Sequence, residues 1–159
     1  MNKQKLITAI IEKLCDDLAL YKKAADAARA EATHEQSKAE HKYDTRGLEA
    51  SYLARGQSRQ AAEILQAIAT FEKLASRDFS PAEAIETGAL VELQSGREKT
   101  KYFIGPRAGG TEIIYDGAEV LVITPESPLG SQLMGKKSGE KCLLDLGGQK
   151  QQFKVSAVQ

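Results

Sequence analysis

The residues best suited to chemistry in this chain lie in one short segment. Tyr43, Asp44, Thr45, Arg46 and Gly47 follow one another, with Glu40 shortly before and Glu49 shortly after. Any chemistry would sit here, but each acid also has a purely structural reading. Asp44 suits the cap of a following helix, where its oxygen accepts from backbone N–H groups left over in the first turn. Glu49 in such a first turn is favoured by the helix dipole alone. Tyr43 and Tyr52 suit packing at the base of a loop. Arg55 and Arg59, one helical turn apart, fit a solvated face at least as well as a contact with a partner. Elsewhere the types and spacings are wrong for catalysis: there is no Ser/His/Asp set, no phosphate-binding loop, no GxGxxG and no HExxH. His34 and His41 are two helical turns apart, about 10 Å, too far to share one ion. Cys15 and Cys142 stand in opposite halves with no CxxC, and fit two reduced thiols used as small apolar residues.

The elements that must hold this segment are long. No proline occurs in the first half, and the first glycine is Gly47, a helical composition. Ile7, Ile11, Leu14, Leu18, Tyr21, Ala25, Ala28 and Ala32 recur at alternating steps of four and three, as in a coiled-coil seam. A second seam runs through Ala50, Ala54, Gln57, Ala61, Ile64, Ile68, Phe71 and Ala75. Both narrow to alanine toward the segment between them, which predicts an antiparallel helical hairpin over 1–77 with its tip near 42–48 and Gly47 as the break. Each arm would reach about 50 to 60 Å, the length of a probe.

Ser76 to Pro81 reads as a linker with turn and helix-start chemistry. Beyond it the texture changes to short strands around Leu90–Leu93, Thr100–Ile104, Glu112–Tyr115, Glu119–Ile123, Cys142–Asp145 and Gln152–Val155, the last two joined at Gly147-Gly148. Between the fourth and fifth, Ser127-Pro128-Leu129 opens a short helix and Gly135-Lys136-Lys137 stops it. The expectation is an α+β chain: the hairpin, then a small antiparallel sheet domain over 82–159.

Composition narrows the partners. The 159 residues carry 22 basic and 22 acidic side chains, so no global basic field gathers nucleic acid, and a protein partner is favoured. The apolar runs are too short to cross a bilayer, and the N-terminus lacks the pattern of a signal peptide. A cytoplasmic monomer is expected.

Together the hairpin, the sheet domain and the Ser-Pro helix resemble the bacterial GreA/GreB transcript cleavage factors. The resemblance is carried by Ser127-Pro128-Leu129, Leu133-Met134-Gly135-Lys136, Gly139-Glu140, Gly147-Gly148 and the tail from Gln152 to Val158, and more loosely by His41-Lys42-Tyr43-Asp44 and Glu49-Ala50-Ser51-Tyr52-Leu53-Ala54. It covers nearly the whole chain. It implies an FKBP-like C-terminal domain that docks at the rim of the RNA polymerase secondary channel, through Ser127, Pro128, Leu129 and Lys136, while the coiled coil passes down the channel. Tip acids would then help hold a catalytic Mg²⁺ that activates water to hydrolyse the 3′ end of backtracked RNA. Asp44 is the implied first ligand and Glu49 or Glu40 the second; Tyr43, Thr45 and Arg46 would contact RNA or the channel wall. The polymerase would be the enzyme, the ion would be its own, and no sequence-specific DNA contact or membrane is implied. Prolyl isomerase activity is not expected, because the domain has only Tyr102, Phe103, Tyr115 and Phe153 to line a pocket.

The tip departs from the family pattern. That pattern is Asp-x-x-Glu, whereas here Asp44 is followed three residues on by Gly47, and the next acid is Glu49. Arg46 adds a cation that weakens Mg²⁺ binding unless it points away or grips phosphate. Cleavage stimulation and a non-cleaving occupant of the channel both remain open, beside a coiled-coil adaptor with no polymerase role.

Overall fold

The computed structural model describes residues 2–34, 45–146 and 149–159. Helix α1 spans Lys3–Thr33 and helix α2 spans Arg46–Glu72. Gly47 lies inside the first turn of α2 instead of breaking the chain. The start is set one residue before the helix, where the Thr45 carbonyl accepts from Glu49 N at 2.8 Å and the Thr45 hydroxyl donates to the Glu49 carboxylate at 2.8 Å. Glycine weakens a helix through backbone entropy, a cost the Thr45–Glu49 bonds at this start offset. Ala75, at the far end of the expected seam, is exposed because α2 has already ended.

Two compact units divide the chain: Glu12–Ile68 forms one, and Met1–Ile11 with Ala69–Gln159 forms the other. In the helical unit the buried seam is Leu14, Ala25 and Ala28 from α1, and Ala50, Ala54, Ala61 and Ala67 from α2. Alanines contribute little apolar area each, but they let two helix backbones approach closely.

The other unit holds a six-stranded sheet. Its strands are β1 Leu90–Ser95, β2 Glu98–Ile104, β3 Glu112–Tyr115, β4 Ala118–Ile123, β5 Lys141–Leu146 and β6 Gln149–Val158, in the order β3-β4-β2-β1-β6-β5. The sheet is mixed, not wholly antiparallel as expected: β2 and β4 run parallel, with Lys101 beside Val120 and Ile104 beside Ile123. A parallel pair needs a crossover, and here the chain between them carries β3, which folds back onto the far side of β4. Turn chemistry fixes the hairpin of β3 and β4. Asp116 and Gly117, at φ 55 and 72, form the two-residue turn between Tyr115 and Ala118 that asks for two positive φ values. Short helix α3, Pro128–Leu133, precedes β5.

Each face of the sheet has its own apolar layer. On one, Phe79, Ile85, Val91, Leu93, Ile104, Ile123, Leu133, Cys142, Val155 and Val158 form the main core. Alternation along the strands puts Leu90, Phe103, Val120 and Val122 on the opposite face, all buried. There the Phe71 ring packs 6.3 Å from that of Phe103, and Leu6, Ile7 and Ile10 are buried in the same unit. Polar stitches hold the first turn of α1 in this unit. Lys3 Nζ donates to the Gly88 carbonyl at 3.5 Å and lies 4.5 Å from the Phe79 ring centre, while the Tyr115 hydroxyl donates to the Asn2 carbonyl at 3.2 Å. Arg77 lies 4.0 Å from the same Phe79 ring, and its guanidinium is held by Glu83 and Glu86. The linker itself makes a turn and no helix: the Glu83 carboxylate accepts from Ser80 N at 2.6 Å and ends the matter there. Among the described residues no helix is long and apolar enough to cross a membrane.

Candidate functional site

Two places carry the expected site residues, one in each unit. In the helical unit, Glu40, Tyr43 and Asp44 lie outside the described residues, as does His41. Thr45, Arg46 and Glu49 are described and exposed at the start of α2. Arg46 turns toward α1: its Nε and a terminal nitrogen lie 2.7 and 2.6 Å from the same Glu31 carboxylate oxygen. Both side chains are largely exposed, so the pair adds little stability, of order 0.2–1 kcal/mol. Its effect is to aim the guanidinium and spend its charge on Glu31. Glu49 accepts from the Thr45 hydroxyl, one interaction on a group with four lone-pair sites. Beyond this pair the helix surface carries Leu48, Tyr52 and Leu53, all more than half exposed, with Arg55 and Arg59 on the solvent side. Arg59 pairs with Glu63 one turn on, at 3.2 Å.

Sequence reasoning missed Glu31. A tip centred near 42–48 sets Glu31 opposite residues further along α2, so no local pattern joined it to Arg46. Only the helix bounds bring the two together. Among the described residues no group of three or more His, Cys, Asp or Glu side chains could hold a metal ion. A carboxylate such as Glu49 still has the right chemistry for Mg²⁺, a hard cation that takes oxygen ligands.

In the sheet unit, the Ser127–Lys136 block is built tightly. Ser127 caps α3: its hydroxyl accepts from Gly130 N at 3.0 Å and donates to the Thr124 carbonyl at 2.7 Å. Pro128 sits at the first helical position, exposed, where its missing N–H costs nothing. Leu133 is fully buried in the main core, and Leu129 and Met134 pack against it half-buried. Leu133 therefore supports the block from below and does not form its surface. The far end is pinned by Ile85, which sequence reasoning did not single out: Ile85 N donates to the Lys136 carbonyl at 2.7 Å, and Gly135 N to the Ile85 carbonyl at 2.9 Å. Gly135, at φ 79, supplies the left-handed turn that stops the helix. The exposed surface of the block is thus Pro128, Ser131 and Gln132, flanked by half-buried Ser127, Leu129 and Lys136.

The chain thus has two parts, a unit of two long helices and a small mixed-sheet domain that bears a Ser-Pro helix, an α+β architecture. The family model for the C-terminal domain of the transcription elongation factors GreA/GreB matches residues 80–159, and the chain belongs to that family. Among solved structures it is similar to the crystal structure of Thermus aquaticus Gfh1, at 24% identity, covering 95% of this chain and 94% of that one, with a TM-score of 0.41. The GreA factor homolog 1 (Gfh1) of Thermus thermophilus shows 24% identity, 95% coverage of each chain and a TM-score of 0.38. The prokaryotic transcription elongation factor GreA/GreB from Nitrosomonas europaea shows 17% identity over 70% of this chain and 91% of that one, with a TM-score of 0.38. A search of the curated proteins found no match.

Proposed function

We propose that this chain is an accessory factor of RNA polymerase which enters the secondary channel with its helical unit and stimulates cleavage of backtracked RNA. Family membership supports the polymerase as partner. The polymerase remains the enzyme, the nascent RNA 3′ end is met only inside the complex, and the metal is the Mg²⁺ of the polymerase active centre. Asp44 is the leading ligand, with Glu49 or Glu40 second; Tyr43 and Thr45 face RNA or the channel wall, while Arg46 is held by Glu31. A divalent ion so held supplies a nucleophilic water and stabilises developing charge. Ser127, Pro128, Leu129 and Lys136 provide the docking face on the sheet unit, where a capped helix start and the Ile85 bonds keep the surface rigid.

One observation carries the cleavage reading. Arg46, two residues after Asp44 as Lys42 is two before it, is bound by Glu31. A lone guanidinium beside the acids would repel the ion, whereas a neutralised one aimed at α1 repels it far less. A second reading also has an observation behind it. Glu49 is bonded to Thr45 within its own helix start, and an acid kept there favours a regulator that occupies the channel without cleaving.

The test is RNA 3′-end cleavage in stalled, backtracked elongation complexes at limiting Mg²⁺, alongside direct binding to core polymerase. Stimulated cleavage that falls at least tenfold in Asp44→Ala, with binding retained, is the expected result. Binding without stimulation would favour the non-cleaving reading. Absence of binding would sink both and leave a coiled-coil adaptor.

A further inference from the structure

One edge of the sheet is open and chemically distinctive. Strand β5 ends the strand order and pairs only with β6. At its start, Gly139 N donates to the Val155 carbonyl and Val155 N to the Glu140 carbonyl, both at 2.8 Å. With Gly139 at φ 91, this is a bulge that places two residues opposite one. It also sets the phase of the ladder. Glu140 faces β6 with its backbone, so by antiparallel alternation Cys142 and Leu144 do too, while Lys141 and Leu143 turn their N–H and C=O groups to the free edge. Cys142 and Leu144 point their side chains into the protein; Lys141 and Leu143 point theirs out, and Leu143 is 58% exposed.

At the start of this edge the side chains are cationic, while Asp145 takes the same phase of the strand two positions past Leu143. Lys141 stands directly opposite Lys154 on β6, Lys154 opposite Gln94 on β1, and Gln94 opposite Lys99 on β2. They form one row across four strands, at about 4.8 Å per strand. Lys99 is paired with Glu92 at 2.9 Å. Neither Lys141 nor Lys154 has a carboxylate partner among the described residues. Like charges directly opposite each other in a ladder are destabilising, and nothing within the described residues offsets this pair. A depression of about 330 Å³ bordered by Gln94, Gly96, Lys141, Gln152, Phe153 and Lys154 lies over it.

We infer that the β5 edge is a docking site for an extended acidic segment of a partner protein, which adds as a seventh strand beside Lys141 and Leu143. Such strand addition draws affinity from main-chain bonds and specificity from alternate side chains. The register asks for an acid beside Lys141 and an apolar residue two positions away beside Leu143, an acid-x-apolar pattern. Charge complementarity selects the acid, because two uncompensated ammonium groups attract it. Exposed Leu143 selects protein over nucleic acid, because an aliphatic side chain at the edge gains by burial against an apolar neighbour and offers no ring on which a base stacks. A lysine on an edge strand also discourages pairing with other copies of the chain, but an exposed leucine on the same edge works against that role alone.

The inference does not depend on polymerase binding and is tested without it. The full chain is titrated, by fluorescence anisotropy at low salt, with a labelled eight-residue peptide repeating Glu-Thr-Val-Thr, capped at both ends, which sets an acid and an apolar residue two positions apart on one face. A block-ordered peptide of the same composition and an oligouridylate serve as comparators. The patterned peptide is expected to bind saturably and at least threefold tighter than either. Lys141→Glu with Lys154→Glu should weaken it at least tenfold, Leu143→Asp several-fold, and amide exchange should slow at 141 and 143. Single Lys141→Glu brings an opposite charge beside Lys154, so its thermal midpoint should hold or rise, which separates lost docking from lost folding. No saturable binding, binding indifferent to these substitutions, or tighter binding of oligouridylate would each overturn the inference.

Discussion

At Gly130 a side chain would collide with its own capping loop. A Cβ built there would overlap the Thr124 carbonyl oxygen and approach Ser127 Oγ to 2.8 Å. Backbone oxygen cannot swing aside as the end of a side chain can. Gly130→Ala should therefore cost about 3 kcal/mol and deform the Ser-Pro helix, the upper range for overpacking a tight site; urea unfolding midpoints measure it. Ser127→Ala, which loses the cap but creates no clash, should cost about 1 kcal/mol. The sequence made the cap legible, because Ser before Pro at a helix start is local chemistry. It did not reveal why the fourth residue is glycine. That requirement comes from the Thr124 carbonyl folding back over the turn, a tertiary contact with no periodic trace. Arg46 teaches the same lesson at the helical tip: its charge was legible, its partner Glu31 was not.

Two strands of the sheet meet out of step. Between Glu92 and Leu93 the β1–β6 register shifts, and Ser156 is the extra residue. Its hydroxyl donates to the Glu92 carbonyl at 3.0 Å and meets the Glu92 carboxylate at 2.7 Å. Lys99 on β2 approaches the same carboxylate. The Lys99 bond first and the Ser156 bond second hold the Glu92 carboxyl below its ordinary 4.5, against the effect of burial. Folding thus favours the ionised form. The stability it contributes is complete above the unfolded value, declines as pH falls toward the lowered folded value, and is gone below it. Glu92→Gln should be less stable than the parent at neutral pH. The two should converge once the pH falls below the lowered folded value of the Glu92 carboxyl, as followed by chemical denaturation at each pH. Strand existence was legible from the alternation of apolar residues and the Asp116-Gly117 turn. Strand order was not, since β2 and β4 are parallel neighbours brought together across β3, and no local pattern records a crossover.

On the scale of the whole molecule, the sheet unit recruits residues from both sides of the helical unit. Leu6 and Ile10, fully buried, lie off the Ile7–Ile11–Leu14 seam that the sequence displayed. A turn of helix apolar on more than one side is what a second packing partner requires. Ile10→Ala should cost about 2–4 kcal/mol and speed amide exchange in β2 and β4. Leu20→Ala, at a position 66% exposed, should stay within about 0.5 kcal/mol. The strand order bears also on how the protein is born. β6 lies between β1 and β5, yet it is translated after both. While a ribosome makes the intervening chain, β1 and β5 have no common neighbour, and the turn carrying Leu6 and Ile10 has no finished sheet to cover it. At the usual pace of synthesis the stretch from β1 to the end of β6 takes roughly three to thirteen seconds. Through all of it the nascent chain displays apolar surface that the finished protein hides, so its demand on chaperones is greatest before residue 158 has emerged.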